Sequence, residues 1–476
     1  MNSIAAGDIQ KKKPQELKKT MKISVIEGIF AQFHTSLVGI GSNFITKTAV
    51  LLRASPIQLS LLSGIAQLSL FFQLYAVIHN KNIHSRKKPC IGFAFWGRLL
   101  NVLLGVSFAI INPKLAFLFF ICILFFSASL QTISGNMWVA WMTDLIPKKI
   151  RGRFFARRMQ IHLVCGFCIG YVFSFFTDLF EATKSSRNYR FIEYLNIGGV
   201  FKESNLPLWL SFVFIIGTIL GLYGLRLLQK QPEKIIKNVV SKEEFCLFEP
   251  LKNKDFLKLL RFGLWWMFAI GIGSPFWGPF MIRVLKMSLV EMQIYSMLQS
   301  IAMLLSFRFW GRFIDKFGNK TAMKICVVLG AINPTLWILF SESSYTLIWF
   351  EGVSSGIMWS GANLVTFNFV LAIAPRGKEQ HWSAVYSAFT GFMMLSTIML
   401  SGILYPPKLV LGTFVLLPEQ VLFAATGILR LTSEIPLYFV NEPSAVPLRK
   451  TIGHASDYVL ARAQRLRNAV FKIWNV

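Results

Sequence analysis

Residues 114–145 read KLAFLFFICILFFSASLQTISGNMWVAWMTDL, and residues 146–159 read IPKKIRGRFFARRM. The first stretch is long and apolar enough to cross a hydrocarbon core of ~30 Å as a tilted helix. The second holds six Lys and Arg residues between that run and the next apolar run. Working outward in both directions, the same alternation recurs along the chain. Twelve spans follow, at approximately 23–48, 56–79, 89–111, 114–145, 154–177, 207–229, 256–282, 288–310, 320–340, 345–374, 380–404 and 410–438.

The basic residues fall into every second gap. Of the 50 Lys and Arg, 38 lie on one side of this arrangement, 10 on the other, and Arg98 and Arg430 lie inside spans. Positive charge concentrates on the cytoplasmic face of polytopic proteins, so both termini are expected in the cytoplasm. Hydrophobic residues make up 54% of the 476, Phe alone numbers 45, and the mean hydropathy is +0.53. A soluble chain this apolar would expose large sticky patches. The net charge of +28 resides in short loops, which argues against nucleic-acid binding. No short apolar segment with a small-residue cleavage site follows the basic N-terminus, so the first span is expected to be retained. The six cysteines lie mostly in spans or on the basic side, which argues against a disulfide framework.

A polar stretch, QKQPEKIIKNVVSKEEFCLFEPLKNKD, divides six spans from six. The expected organisation is an N-tail (1–22), a six-helix bundle (23–229), a linker (230–255), a second bundle (256–440) and a basic amphipathic C-tail (441–476) on the inner leaflet. The halves echo each other. Pro147 ends the fourth span and Pro375 the tenth, 228 residues apart, and each precedes a basic Arg-Gly segment. Parallel repeats of this kind are typical of transporters.

Two segments carry a mechanism. Gly311-Arg-Phe-Ile-Asp315-Lys316-Phe-Gly318-Asn-Lys320 lies between spans eight and nine, where Gly318 permits a tight turn and Asp315 suits a helix cap or an ion pair. Trp141-Met-Thr-Asp144-Leu-Ile-Pro147-Lys-Lys-Ile-Arg151-Gly152-Arg153 places an acid at the membrane edge with arginines in reach, a candidate gating cluster. Both resemble loop signatures of the major facilitator superfamily. The sequence departs from that pattern at Asn319, and the first-half loop HNKNIHSRKKP lacks the glycines and the Asp. The resemblance implies an all-α membrane protein of twelve transmembrane helices in two pseudo-symmetric six-helix bundles. Spans one, four, seven and ten would line a central cavity.

On those spans, polar residues form stripes. His34 in the first span, Gln131, Asn136 and Trp138 in the fourth, Trp277 in the seventh, and Trp359 and Asn363 in the tenth are the candidate substrate contacts. Glu27, Asp144, Arg151, Arg153, Asp315 and Glu351 are the candidate coupling and gating residues. His34, Gln131, Trp359 and Asn363 are expected to face one common space. Spans one, four, seven and ten hold no Lys or Arg at mid-depth, which argues against a strongly anionic substrate. Gly166-x-x-x-Gly170 reads as a packing motif. His162-x-x-Cys165-x-x-Cys168 drifts around one helix and offers at best three ligands, so no metal is expected there. No cofactor-binding or hydrolase motif is present.

The expected function is secondary transport of a small neutral or weakly charged polar solute, sugar-, nucleoside- or drug-like. Coupling would be to an ion, a proton ahead of sodium. A monomer in the inner or plasma membrane, surrounded by lipid, is expected. The alternatives are a polytopic enzyme acting on lipid and a non-transporting receptor on the same fold.

Overall fold

The computed structural model describes residues 2–80, 85–181, 193–194, 199–233, 249–375, 378–412 and 414–442. The C-tail beyond Glu442, most of the linker and the Arg376-Gly377 pair lie outside these. The molecule is an all-helical membrane protein. Among the described residues, ten helices are long and apolar enough to cross a membrane. Pro56–Asn80 and the short pair Pro418–Leu431 and Glu434–Tyr438 complete the twelve.

Local chemistry explains where the helices start and stop. Asn112 caps span four through its side-chain oxygen, with Pro113 in the first helical position. Ser288 and Glu291 form a reciprocal capping box at the start of span eight. Spans four and ten end at Leu145 and Ile373, also 228 residues apart, each followed by an extended residue and then proline.

Several boundaries differ from the sequence reading. The first helix runs back to Asn2, so the N-tail is continuous with span one. Span one breaks after Val38 and resumes at Asn43, capped by Ser42. Span seven breaks between Gly273 and Trp277, as Pro275 predicts, because proline supplies no N–H. Span twelve does not begin at 410. Residues Leu409–Leu411 and Phe414–Leu416 pair as antiparallel strands β1 and β2 about Gly412, at φ 62°. Two short, continuous apolar runs, Leu409–Leu411 and Phe414–Leu416, separated by Gly412 and one further residue in sequence, are a hairpin signal that the span assignment absorbed.

The membrane face where the linker emerges is here called the linker side. On the opposite side, one continuous apolar cluster joins the two bundles. It takes Phe44 and Ile45 from span one, Phe276 and Phe280 from span seven, and Trp337 and Phe423 from spans nine and twelve. On the linker side the apolar cores are separate, one in each bundle. Glycines let the seams close. An added Cβ at Gly402 would meet Ser60, and one at Gly170 would meet Gln293. Gly166 of the same motif lies instead against Gln32 and Ser36 of span one.

The two bundles are also clasped alike. Glu233, just past span six, accepts from the backbone N of Lys87 at 2.8 Å and from Ser85 Oγ at 3.0 Å, at the start of span three. Glu442, just past span twelve, accepts from the backbone N atoms of Asn319 (2.9 Å) and Lys320 (2.5 Å), at the start of span nine. A carboxylate on helix N-terminal amides is a charge-assisted cap. Glu442→Gln is expected to cost about 1–2 kcal/mol of stability, by the usual worth of such caps. A lowered thermal midpoint in detergent would show this; an unchanged midpoint would reduce the clasp to a surface contact.

Candidate functional site

The second bundle holds a partly open cavity of about 330 Å³ beneath the apolar seal. Its wall comes from spans seven to twelve. Trp277 stacks on Phe423 at 3.8 Å, with the rings 4° apart, and meets Trp337 edge-on at 4.7 Å. Tyr295 Oη donates to Glu351 Oε2 at 2.7 Å. Gln299 Nε2 donates to Ser355 Oγ at 3.0 Å, and Asn333 is bonded to Ser354 at 2.8 Å. Arg430 lies with its guanidinium carbon 5.7 Å from the Trp359 ring centre and 5.8 Å from that of Trp266. Its Nη1 donates to the Gly330 carbonyl at 3.1 Å. Met394, also in the wall, receives Gln67 Nε2 of the first bundle at 3.4 Å, so the cavity borders the seam between bundles.

Of the predicted substrate contacts, the structure brings Trp277 and Trp359 together here, with Glu351 from the coupling group. His34 lies elsewhere. It is 1% exposed inside the first bundle. Its Nδ1 faces the Gly217 carbonyl at 3.1 Å and its Nε2 faces Asn101 Nδ2 at 3.3 Å. A carbonyl only accepts, so the proton belongs on Nδ1, and Nε2 accepts from Asn101. Gln131 sits beside His34 and donates to Ser127 Oγ at 2.9 Å. Asn136 bonds back to the Thr132 carbonyl of its own helix at 3.1 Å. Asn363 is exposed and is not part of the cavity wall. The expectation that His34 shares one space with Trp359 is therefore corrected. Stripe and depth place a residue on an inward face, but neighbouring helices of the same bundle cover that face at His34.

The first bundle holds a second polar cluster. Glu27, 3% exposed, pairs with Arg158 Nη2 at 3.4 Å. The Arg158 guanidinium lies 4.3 Å above the Trp138 ring, and its Nε donates to the Ser24 carbonyl at 3.1 Å. Arg98 donates to the Gly221 carbonyl, joining span three to span six. Arg430 joins span twelve to span nine in the same way, so each bundle is cross-tied by a buried arginine on a glycine carbonyl.

The predicted gating residues divide. Asp144 pairs with Arg86 at 2.6 Å, across to the loop before span three. Arg151 commits its guanidinium to the carbonyls of Thr143 and Ile146, closing the end of span four. Arg153 is exposed. Asp315 is exposed in the last turn of span eight, at the end where carbonyls point outward. It caps no helix. Gly318, at φ 88°, makes the turn, and Glu442 supplies the cap for span nine.

Sequence reasoning missed Arg430 as a cavity residue and Asp178 as a seal residue. Asp178 Oδ1 accepts from the backbone N of Leu289 at 2.8 Å and Oδ2 from that of Val290 at 2.9 Å. It thus caps span eight across the bundle boundary. Arg283 Nη2 crosses the other way, to the Ala54 carbonyl at 2.8 Å. Nearby in the loop after span nine, Tyr345 Oη donates to Glu291 at 3.0 Å. Burial, with the Glu291 charge second, raises the pKa of that hydroxyl, so it stays a donor.

The family model described as Major Facilitator Superfamily matches residues 25–397. Among solved structures, the chain is similar to a mutant of the nucleoside transporter NupG, with 13% identity and a TM-score of 0.66, covering 90% of this chain and 100% of that one. It is also similar to a D-xylose-proton symporter, with 13% identity and a TM-score of 0.63, covering 90% and 98%. The inward-open xylose transporter XylE from E. coli gives 12% identity and a TM-score of 0.60, covering 91% and 98%. No curated protein matches in sequence.

Proposed function

This chain belongs to the major facilitator superfamily and is a secondary transporter, not an enzyme; from that premise we propose that it moves a small polar, ring-bearing solute, neutral or weakly charged, by alternating access coupled to protons. The observation that carries this reading is the cavity of about 330 Å³ beneath the seal, with tryptophan walls and the Tyr295–Glu351 pair. Indole faces suit ring stacking, and Gln299, Asn333 and Ser355 suit hydroxyl or carbonyl groups. A stabilisation screen of the purified protein against sugars, nucleosides and small ring compounds tests the reading. Hits should be lost in Trp359→Ala. Hits retained undiminished in that variant would move the site out of this cavity.

The linker side is the cytoplasm on this reading, because 38 of the 50 Lys and Arg belong to it. The apolar cluster that joins the two bundles then lies on the outer side. The protein works as a monomer in the inner or plasma membrane. Impermeant thiol reagents added outside should label Arg190→Cys and miss Val240→Cys. The reverse pattern would invert the topology.

Glu351 is the residue we assign to the coupling proton. Its hydrogen-bond donor is a neutral hydroxyl, whereas Glu27 is paired with Arg158, a cation that protonation would strand.

A further inference from the structure

We propose that the substrate carries a single carboxylate, or an equivalent singly charged oxyanion, and that Arg430 receives it. This deepens the reading of the second-bundle cavity as the substrate site and rests on it.

Arg430 is 5% exposed, and no carboxylate lies within 4 Å of it among the described residues. Its Nη1 is used on Gly330, and its Nε has no hydrogen-bond partner. A buried guanidinium without an ion pair is expensive in a bilayer, and such groups mark ligand pathways. A purely structural account is available, since the bond to Gly330 ties two spans together. Arg98 is the internal comparison: it makes the same kind of tie to Gly221, and its Nε is likewise unpartnered. Arg430 differs in that it lines the cavity, beside Trp359 and across from Glu351.

The nearest acid does not complete it. The Glu351 carboxylate already takes the Tyr295 hydroxyl on Oε2, and it acts on Arg430 only through space. The lack of Lys or Arg at mid-depth on spans one, four, seven and ten, which spoke against a strongly anionic substrate, is thus offset by a cation from span twelve. One cation beside one acid does not suit a multiply charged phosphate, which needs several cations. It suits one carboxylate on a ring that stacks on indole. About 330 Å³ is at the small end of ligand pockets, which limits the ring system.

The test uses acid and amide pairs of equal shape on the full-length protein in detergent: benzoate with benzamide, and nicotinate with nicotinamide. Thermal stabilisation should favour an acid over its amide by about tenfold in apparent affinity, as expected when a buried charged donor is left unpaired. Arg430→Gln should abolish that preference and Arg430→Lys retain part of it, with both variants' unliganded melting temperatures reported alongside. Amides binding as well as acids would overturn the proposal, as would acid binding that survives in Arg430→Gln. Stabilisation by neutral sugars or nucleosides alone would sink it while leaving the cavity as the substrate site. If no acid, amide, sugar or nucleoside stabilises the protein, both readings fall.

Discussion

Asp178→Ala is expected to shift the conformational balance away from the sealed state by about two orders of magnitude and to slow transport accordingly. Asp178 takes two backbone N–H groups of span eight, at 2.8 and 2.9 Å, across the bundle boundary. Hydrogen bonds to a charged group contribute about 1.5–3 kcal/mol each, so losing two of them costs the sealed state about 3 kcal/mol or more. These bonds require the start of span eight to lie against the end of span five. They stabilise that arrangement selectively, which is the condition for moving an equilibrium. Asp178→Asn, which keeps one acceptor, should give an intermediate effect. The readout is thiol labelling of Ile45→Cys from the side opposite the linker. Ile45 is 0% exposed within the seal, so labelling should be slow in the parent and fast with Asp178→Ala. Equal labelling rates in both backgrounds would show that Asp178 is not part of the gate.

The uneven legibility of this fold has a physical cause. Span count and paired halves were readable because bilayer thickness and charge bias act on whole segments, and the 228-residue echo recurs in the ends of spans four and ten. The site was readable only in part. Trp277, Trp359 and Glu351 sit in one cavity, but depth and stripe gave no reason to separate them from His34, which the helix of Gly217 and Gly221 covers. Arg430 was visible as a charge inside a span. Its span lies outside the four expected to line the cavity, so its role depended on packing that no local pattern encodes. Asp315, read as a helix cap or an ion-pair partner, does not cap span nine. That role falls to Glu442, far later in the chain.

Glu351→Gln is the substitution that should separate coupling from transport. Glutamine keeps an oxygen that accepts from Tyr295 Oη, so the 2.7 Å contact and the fold around it should survive. What is lost is the ability to take up and release a proton within the cavity. If the proton that drives uptake travels on Glu351, the variant should still exchange substrate across the membrane. It should fail to accumulate substrate under an imposed pH gradient, with the accumulation ratio falling to about one, the limit when no ion is linked to the cycle. Glu27→Gln is the contrasting variant. It removes the charge partner of buried Arg158 at 3.4 Å, and an unpaired buried cation costs about 3–5 kcal/mol. Its main symptom should be lower stability rather than clean uncoupling. The decisive comparison is gradient-driven accumulation against substrate exchange in proteoliposomes. Full accumulation by Glu351→Gln would remove Glu351 from the coupling path. Loss of both accumulation and exchange would assign Glu351 to substrate binding instead.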